Sequence, residues 1–177
     1  MESKIKFLGH AVHPILIVFP LGLLIMALIF DVLYFATDND AFATAAYWDI
    51  AAGVIGGLLA AVFGLIDWLS IPNGTRAKAV GMWHGIGNVV VVALFALSWW
   101  LRYGDPAHTP STIAFILALV GIGIGAVTGW MGGELVNRMG VSVDPGAHLD
   151  APSSLSGVPA ASNLRREERL MEREVGR

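Results

Sequence analysis

Four side chains suited to ligation stand in otherwise apolar sequence: His13, Asp67, His84 and Glu134. Imidazoles and carboxylates together bind iron, zinc or manganese. Two histidines alone satisfy the axial positions of a b-type haem. Asn88 follows His84 by one helical turn and shares its face, which adds it to His13 and His84 as a cofactor-binding candidate. The metal candidates are His13, Asp67, His84 and Glu134. An ionisable residue at the centre of a membrane helix costs about 2.5–3.5 kcal/mol on insertion scales. Four of them at one depth therefore predict a shared pocket. Three chemistries compete for it: a structural polar cluster, a haem b or divalent-metal redox centre, and a small proton or ion transporter leading towards Asp31. Asp31 lies eighteen residues beyond His13 (31 − 13), about five turns along the same helix face. The pathway reading has no ionisable residue at the midplane, where transporters bind their substrates.

Other chemistries are excluded or left without support. There is no cysteine, so disulfides, thiolate zinc sites, cysteine-held iron–sulfur clusters and covalent haem do not arise. No serine or cysteine stands beside the histidines, so no catalytic residue is assigned and enzyme activity stays open. The net charge of −3 comes with no basic face for nucleic acid.

The elements that must position these residues are membrane helices. Apolar residues make up 55% of the 177-residue chain, and the charges crowd outside four long stretches. Those stretches are 14–36, 48–71, 82–101 and 112–136, each near the roughly 20 residues needed to span hydrocarbon. In lipid such segments form helices. The expected fold is all-α: a four-helix transmembrane bundle over residues 1–140. A cytoplasmic linker and charged tail follow over 141–177, disordered or forming a short helix over 164–175. The first span is too long for a signal-peptide core and is expected to remain as an anchor. Lys4, Lys6, Arg76, Lys78 and Arg138 flank one side of the spans, against Arg102 alone on the other. By the positive-inside rule both termini are cytoplasmic. The expected partners are the lipid bilayer and either a second copy of the chain or a redox protein.

Alternate spans run in opposite directions, which brings His13, Asp67, His84 and Glu134 to the inner leaflet. Each hairpin opens with a histidine and closes with a carboxylate, a pattern that fits a duplicated hairpin in parallel symmetry. Gly121, Gly125, Gly129 and Gly133 form a groove along the last span, and Gly53, Gly57, Ala60 and Gly64 a similar face on the second. Such faces let helices approach closely. Pro20 frees the Leu16 carbonyl and predicts a kink beside His13.

The run from His13 through Pro14 to Phe19 and Pro20, followed by Asp31, resembles a bacterial inner-membrane family catalogued as domain of unknown function 2231. Gly64 to Trp68, His84 with Asn88, and Gly132 to Val136 are similar to it as well. The resemblance covers about residues 10–140. It implies a compact four-helix membrane domain with no assigned activity. Some relatives are joined to Rieske domains, which implies electron transfer, although this chain has no such domain. Many relatives carry a histidine where Val18 stands here. Of a haem ligand set, the resemblance therefore carries over only His13 and His84.

Overall fold

A computed structural model of the chain describes residues 1–162, and the expected tail helix at 164–175 lies outside the described residues. Four helical spans are long and apolar enough to cross a membrane: Val12–Thr37, Asp40–Ser70, Arg76–Trp100 and Thr112–Arg138. The first is interrupted, giving α1 (Val12–Leu16) and α2 (Val18–Thr37). The break falls at Ile17, within a turn of Pro20, whose ring and missing N–H disturb the preceding carbonyls. The others are α3 (Asp40–Ser70), α4 (Arg76–Trp100) and α5 (Thr112–Gly133), and α5 runs on into a π-helical turn at Glu134–Arg138. Side chains cap three of the starts. Asn39 accepts from the Ala41 N–H, Thr75 from Lys78 and Ser111 from Ala114, in the manner of N-caps. A two-residue hairpin, β1 (Lys6–Phe7) with β2 (His10–Ala11), precedes α1. His10 is thus on a strand, with Nε2 3.5 Å from the Ser154 hydroxyl.

Each helix of the bundle packs on two neighbours, in the cyclic order α2, α3, α4, α5. Its centre is built from Leu24, Ala27, Ala46, Ile50, Val91, Phe95 and Ala118. Most large apolar residues elsewhere on the spans face outward, among them Val18, Phe19, Trp48, Val62, Trp83 and Trp130. That is the reverse of a water-soluble bundle, and it suits helices whose solvent is lipid.

The two hairpins repeat one packing plan. Leu24 fills the space beside Gly53, where an added Cβ would lie 2.6 Å from it, and Phe95 fills that beside Gly121 at 2.8 Å. Pro20 sits 3.8 Å from a Cβ at Gly57, and Val91 4.0 Å from one at Gly125. The offset between halves is 71 on the first helix of each hairpin (95 − 24, 91 − 20). On the second helix it is 68 (121 − 53, 125 − 57). Buried positions obey the same offsets: Ala27 with Ser98, Ala46 with Ala114, Ile50 with Ala118, all fully inaccessible. The expected duplication is therefore present in the packing. Its register pairs Asp67 with Leu135 (67 + 68), so Asp67 and Glu134 are not equivalents.

The expected glycine groove of the last span is only half used. Gly121 holds Phe95 and Gly125 approaches Val91, but Gly129 meets nothing within 4 Å.

The end of the bundle that carries the N-terminus is covered by both ends of the described chain. The Met1 amino group donates to the Gly140 carbonyl at 2.7 Å, and the Ser142 N–H donates to Met1. Lys6 pairs with Asp144 and Glu2. The bond to Asp144 is the main reason its ammonium titrates above the usual lysine range. Val141 is buried with Ile71 and Leu135.

Candidate functional site

His13 opens the first hairpin and His84 the second, and 84 − 13 gives the same offset of 71. Their surroundings repeat as well. The His13 Nδ1 lies 2.9 Å from the carbonyl oxygen of Ala60, and the His84 Nδ1 lies 2.8 Å from that of Thr128. Ala60 and Thr128 are equivalents (60 + 68). A carbonyl only accepts, so both rings carry a proton on Nδ1, and a neutral ring then has its lone pair on Nε2. Each imidazole also fills a glycine notch. An added Cβ at Gly64 would lie 2.9 Å from the His13 ring, and one at Gly132 3.2 Å from the His84 ring. The small residues on α3 and α5 are thus what admit an imidazole to the helix interface.

The two rings face each other, with centroids 6.4 Å apart and planes at 86°. A residue that touches its own repeat equivalent lies on the pseudo-two-fold axis. The histidines mark that axis at one end of the bundle.

Depth alone predicted one cluster of four; the side chains divide it into three arrangements. His13 and His84 pair on the axis. Asp67 accepts from the Ser3 hydroxyl at 2.7 Å and from the Lys4 N–H at 3.1 Å, and so pins the N-terminal segment. Glu134 pairs with Arg76 at 3.0 Å, with Arg138 at 3.9 Å. Among the described residues no group of three or more His, Asp or Glu side chains is placed to hold a metal ion. Asn88 stands beside His84, its amide nitrogen 3.2 Å from Nε2 and donating to the His84 carbonyl at 2.9 Å.

At the other end of the axis is a pair that inspection of the spans missed. Asp31 and Arg102 are also equivalents (102 − 31 = 71), and they bond to each other. The guanidinium donates Nη1 to Oδ1 at 2.6 Å and Nη2 to Oδ2 at 2.7 Å. Both side chains are 0% exposed. Arg102 also donates to the Ser98 hydroxyl at 3.1 Å, and Ser98 donates to the Ala114 carbonyl at 2.7 Å. Arg102 reads as a loop charge in the sequence. The missed signal was its spacing from Asp31, identical to that of the histidines. Beside it His108 stacks on Tyr47 with ring centroids 3.8 Å apart.

Four apolar helices, two packed repeats and a central pair of imidazoles define a small duplicated membrane bundle. The chain matches, over residues 9–145, the model of a family described as "Predicted membrane protein (DUF2231)", and it belongs to that family. No curated protein and no solved structure matches it.

Proposed function

We propose that the protein is an electron-transfer or accessory subunit that binds a b-type haem in the inner leaflet, with His13 and His84 as axial ligands. One observation carries this reading. Two repeat-related imidazoles, each tethered through Nδ1 to a helix carbonyl, stand 6.4 Å apart between centroids. Two imidazoles that share one iron put each nitrogen about 2 Å from it and their centroids roughly 6–6.5 Å apart. A ligating histidine almost always donates its other nitrogen to such an acceptor. The donor set favours haem over a bare ion, because the macrocycle supplies the four donors that Asp67 and Glu134, engaged elsewhere, do not. When bound, haem would supply one-electron chemistry; the chain's part is to hold both imidazoles in one tautomer within an apolar site.

The test is the absorption spectrum of protein purified from haem-replete cells. The expected result is a bis-histidine spectrum in the wild type and none in His84→Ala or His13→Ala. A colourless wild type would sink the reading. The structural alternative draws on the filled glycine notches. It expects the same substitutions to lower stability and leave the spectrum of the wild type featureless.

The orientation belongs to the same proposal. Arg102 is neutralised inside the bundle by Asp31, so it does not offset Lys4, Lys6, Arg76, Lys78 and Arg138 at the opposite end. That asymmetry supports cytoplasmic termini in an inner membrane. A reporter fused after Arg177 that is active only in the cytoplasm should be active, and a periplasm-only reporter at the same point should be silent. The opposite pattern would reverse the topology.

A further inference from the structure

Glu134, turned away from the histidines, belongs to a second polar group at the same end of the bundle. Arg76 and Arg138 share its one carboxylate, at 3.0 Å and 3.9 Å. Two guanidiniums against one carboxylate leave one positive charge over. The side chains of Arg76 and Arg138 are 64% and 77% exposed, so that charge faces outward. Lys78 does not join the group. Its ammonium sits 4.0 Å over the Trp68 ring and donates to the Trp68 carbonyl. Arg76 also lines a pocket of about 380 Å³, walled mostly by apolar side chains, among them Ile71, Pro72, Ala77, Met139 and Val141. Ile71 and Val141 are themselves buried against Leu135, so the floor of the pocket is firmly packed.

Face and depth decide what reaches this pocket. Trp83, Val90 and Leu97 follow Arg76 by seven, fourteen and twenty-one residues (83 − 76, 90 − 76, 97 − 76), a spacing that keeps to one helix face. All three are among the exposed apolar residues of α4, and in a membrane that face meets acyl chains. The 25 residues of α4 span about 37 Å at 1.5 Å each, against roughly 30 Å of hydrocarbon. Its first turn therefore stands in the headgroup layer. Arg76 is the polar end of a lipid-facing stripe.

We infer that this pocket binds one anionic phospholipid, with its phosphate against Arg76 and Arg138 and its acyl chains along Trp83, Val90 and Leu97. The chemistry of the group selects the class. A guanidinium matches two phosphate oxygens with its fork of N–H donors. A singly charged phosphodiester balances the one charge left over, whereas a zwitterionic headgroup brings a cation of its own. Basic pockets beside membrane helices recognise anionic headgroups in this way. The site does not depend on the haem reading. Nor does the repeat duplicate it: the equivalents of Arg76, Glu134 and Arg138 are Ile5 (76 − 71), Ile66 (134 − 68) and Ser70 (138 − 68), none of them charged. The chain therefore holds one such lipid and not two.

The experiment uses the full chain in detergent, with native mass spectrometry and thermal unfolding as readouts. The probes are dioleoyl phosphatidylglycerol, dioleoyl phosphatidylcholine and glycerol phosphate, a water-soluble headgroup fragment. The wild type should retain one phosphatidylglycerol, and its unfolding temperature should rise with the concentration of that lipid. Phosphatidylcholine should bind at least about tenfold more weakly, and Arg76→Gln should weaken phosphatidylglycerol by a similar factor, the worth of one charge-assisted hydrogen bond. Arg138→Gln should act in the same direction. Glu134→Gln, which removes the competing carboxylate, should tighten binding. These two keep the test valid if Arg76→Gln folds poorly, because they move the affinity in opposite directions. Lys4→Gln removes an equal charge from the same end of the bundle but outside the pocket, and should leave binding unchanged. Equal retention of the two lipids, or a loss in Lys4→Gln as large as in Arg76→Gln, would mean diffuse attraction and overturn the site. Stabilisation by glycerol phosphate equal to that by phosphatidylglycerol would overturn the lipid assignment in favour of a free phosphate.

Discussion

Asp31→Ala is expected to destabilise the bundle by about 3–5 kcal/mol, the cost of leaving one member of a buried ion pair uncompensated. The pair is completely inaccessible and bidentate, so no water reaches Arg102 once its partner is gone. Arg102→Ala should be comparably harmful, because it strands Asp31. The pair itself is worth much less than either deletion implies. Replacing both members by apolar residues of similar volume, as in Asp31→Leu with Arg102→Met, should recover most of the loss. Exchanging the charges, as in Asp31→Arg with Arg102→Asp, should recover part of it, since the two positions are equivalents that meet on the axis. Thermal unfolding in detergent reads all of these. Single variants as stable as the wild type, or a double variant as unstable as the sum of the singles, would contradict this account. The pair has a further consequence for assembly. Two copies of the first hairpin placed in this packing would set Asp31 against Asp31, and two of the second would set Arg102 against Arg102. Only the unlike hairpins satisfy the charge.

Gly121→Leu and Gly129→Leu should give opposite results although both lie on the same glycine-spaced face. At Gly121 even a Cβ would lie 2.8 Å from the ring of Phe95, and Phe95 is 0% exposed, with no free direction in which to move. Overpacking of this kind costs about 1–3 kcal/mol, occasionally more, and here also separates α5 from α4. At Gly129 an added side chain meets nothing within 4 Å and projects outward. Its effect on thermal stability should fall within the about 0.5 kcal/mol typical of surface changes. The contrast separates packing from spacing. If Gly129→Leu were the damaging change and Gly121→Leu were silent, the packing of α5 described above would be wrong.

The sequence by itself determined the number of spans and their helical nature, because lipid leaves the backbone no other way to satisfy its hydrogen bonds. It also determined that polar groups gather at one depth, since chain direction alternates and the position of each residue along its span follows from counting. The break near Pro20 was legible for the same local reason. Depth is one coordinate, and the others belong to rotation and neighbours. Helix rotation decided that His13 and His84 point at each other across the axis, while Asp67 turns to the N-terminal segment and Glu134 to Arg76. The repeat was visible in its outline and misregistered in detail, because the eye matches like residues, Asp67 with Glu134, whereas packing matches a notch with what fills it. Arg102 looked like a loop charge because a residue just past a helix end can face either way, and only the presence of Asp31 at the same level, one repeat earlier, draws it into the bundle. The glycines show the same division. Spacing put Gly121 and Gly129 on one face, but only the tertiary structure set Phe95 against the first and left the second open, because that face turns away from α4 along α5, where Thr128 and Gly132 instead meet Gly87 and His84.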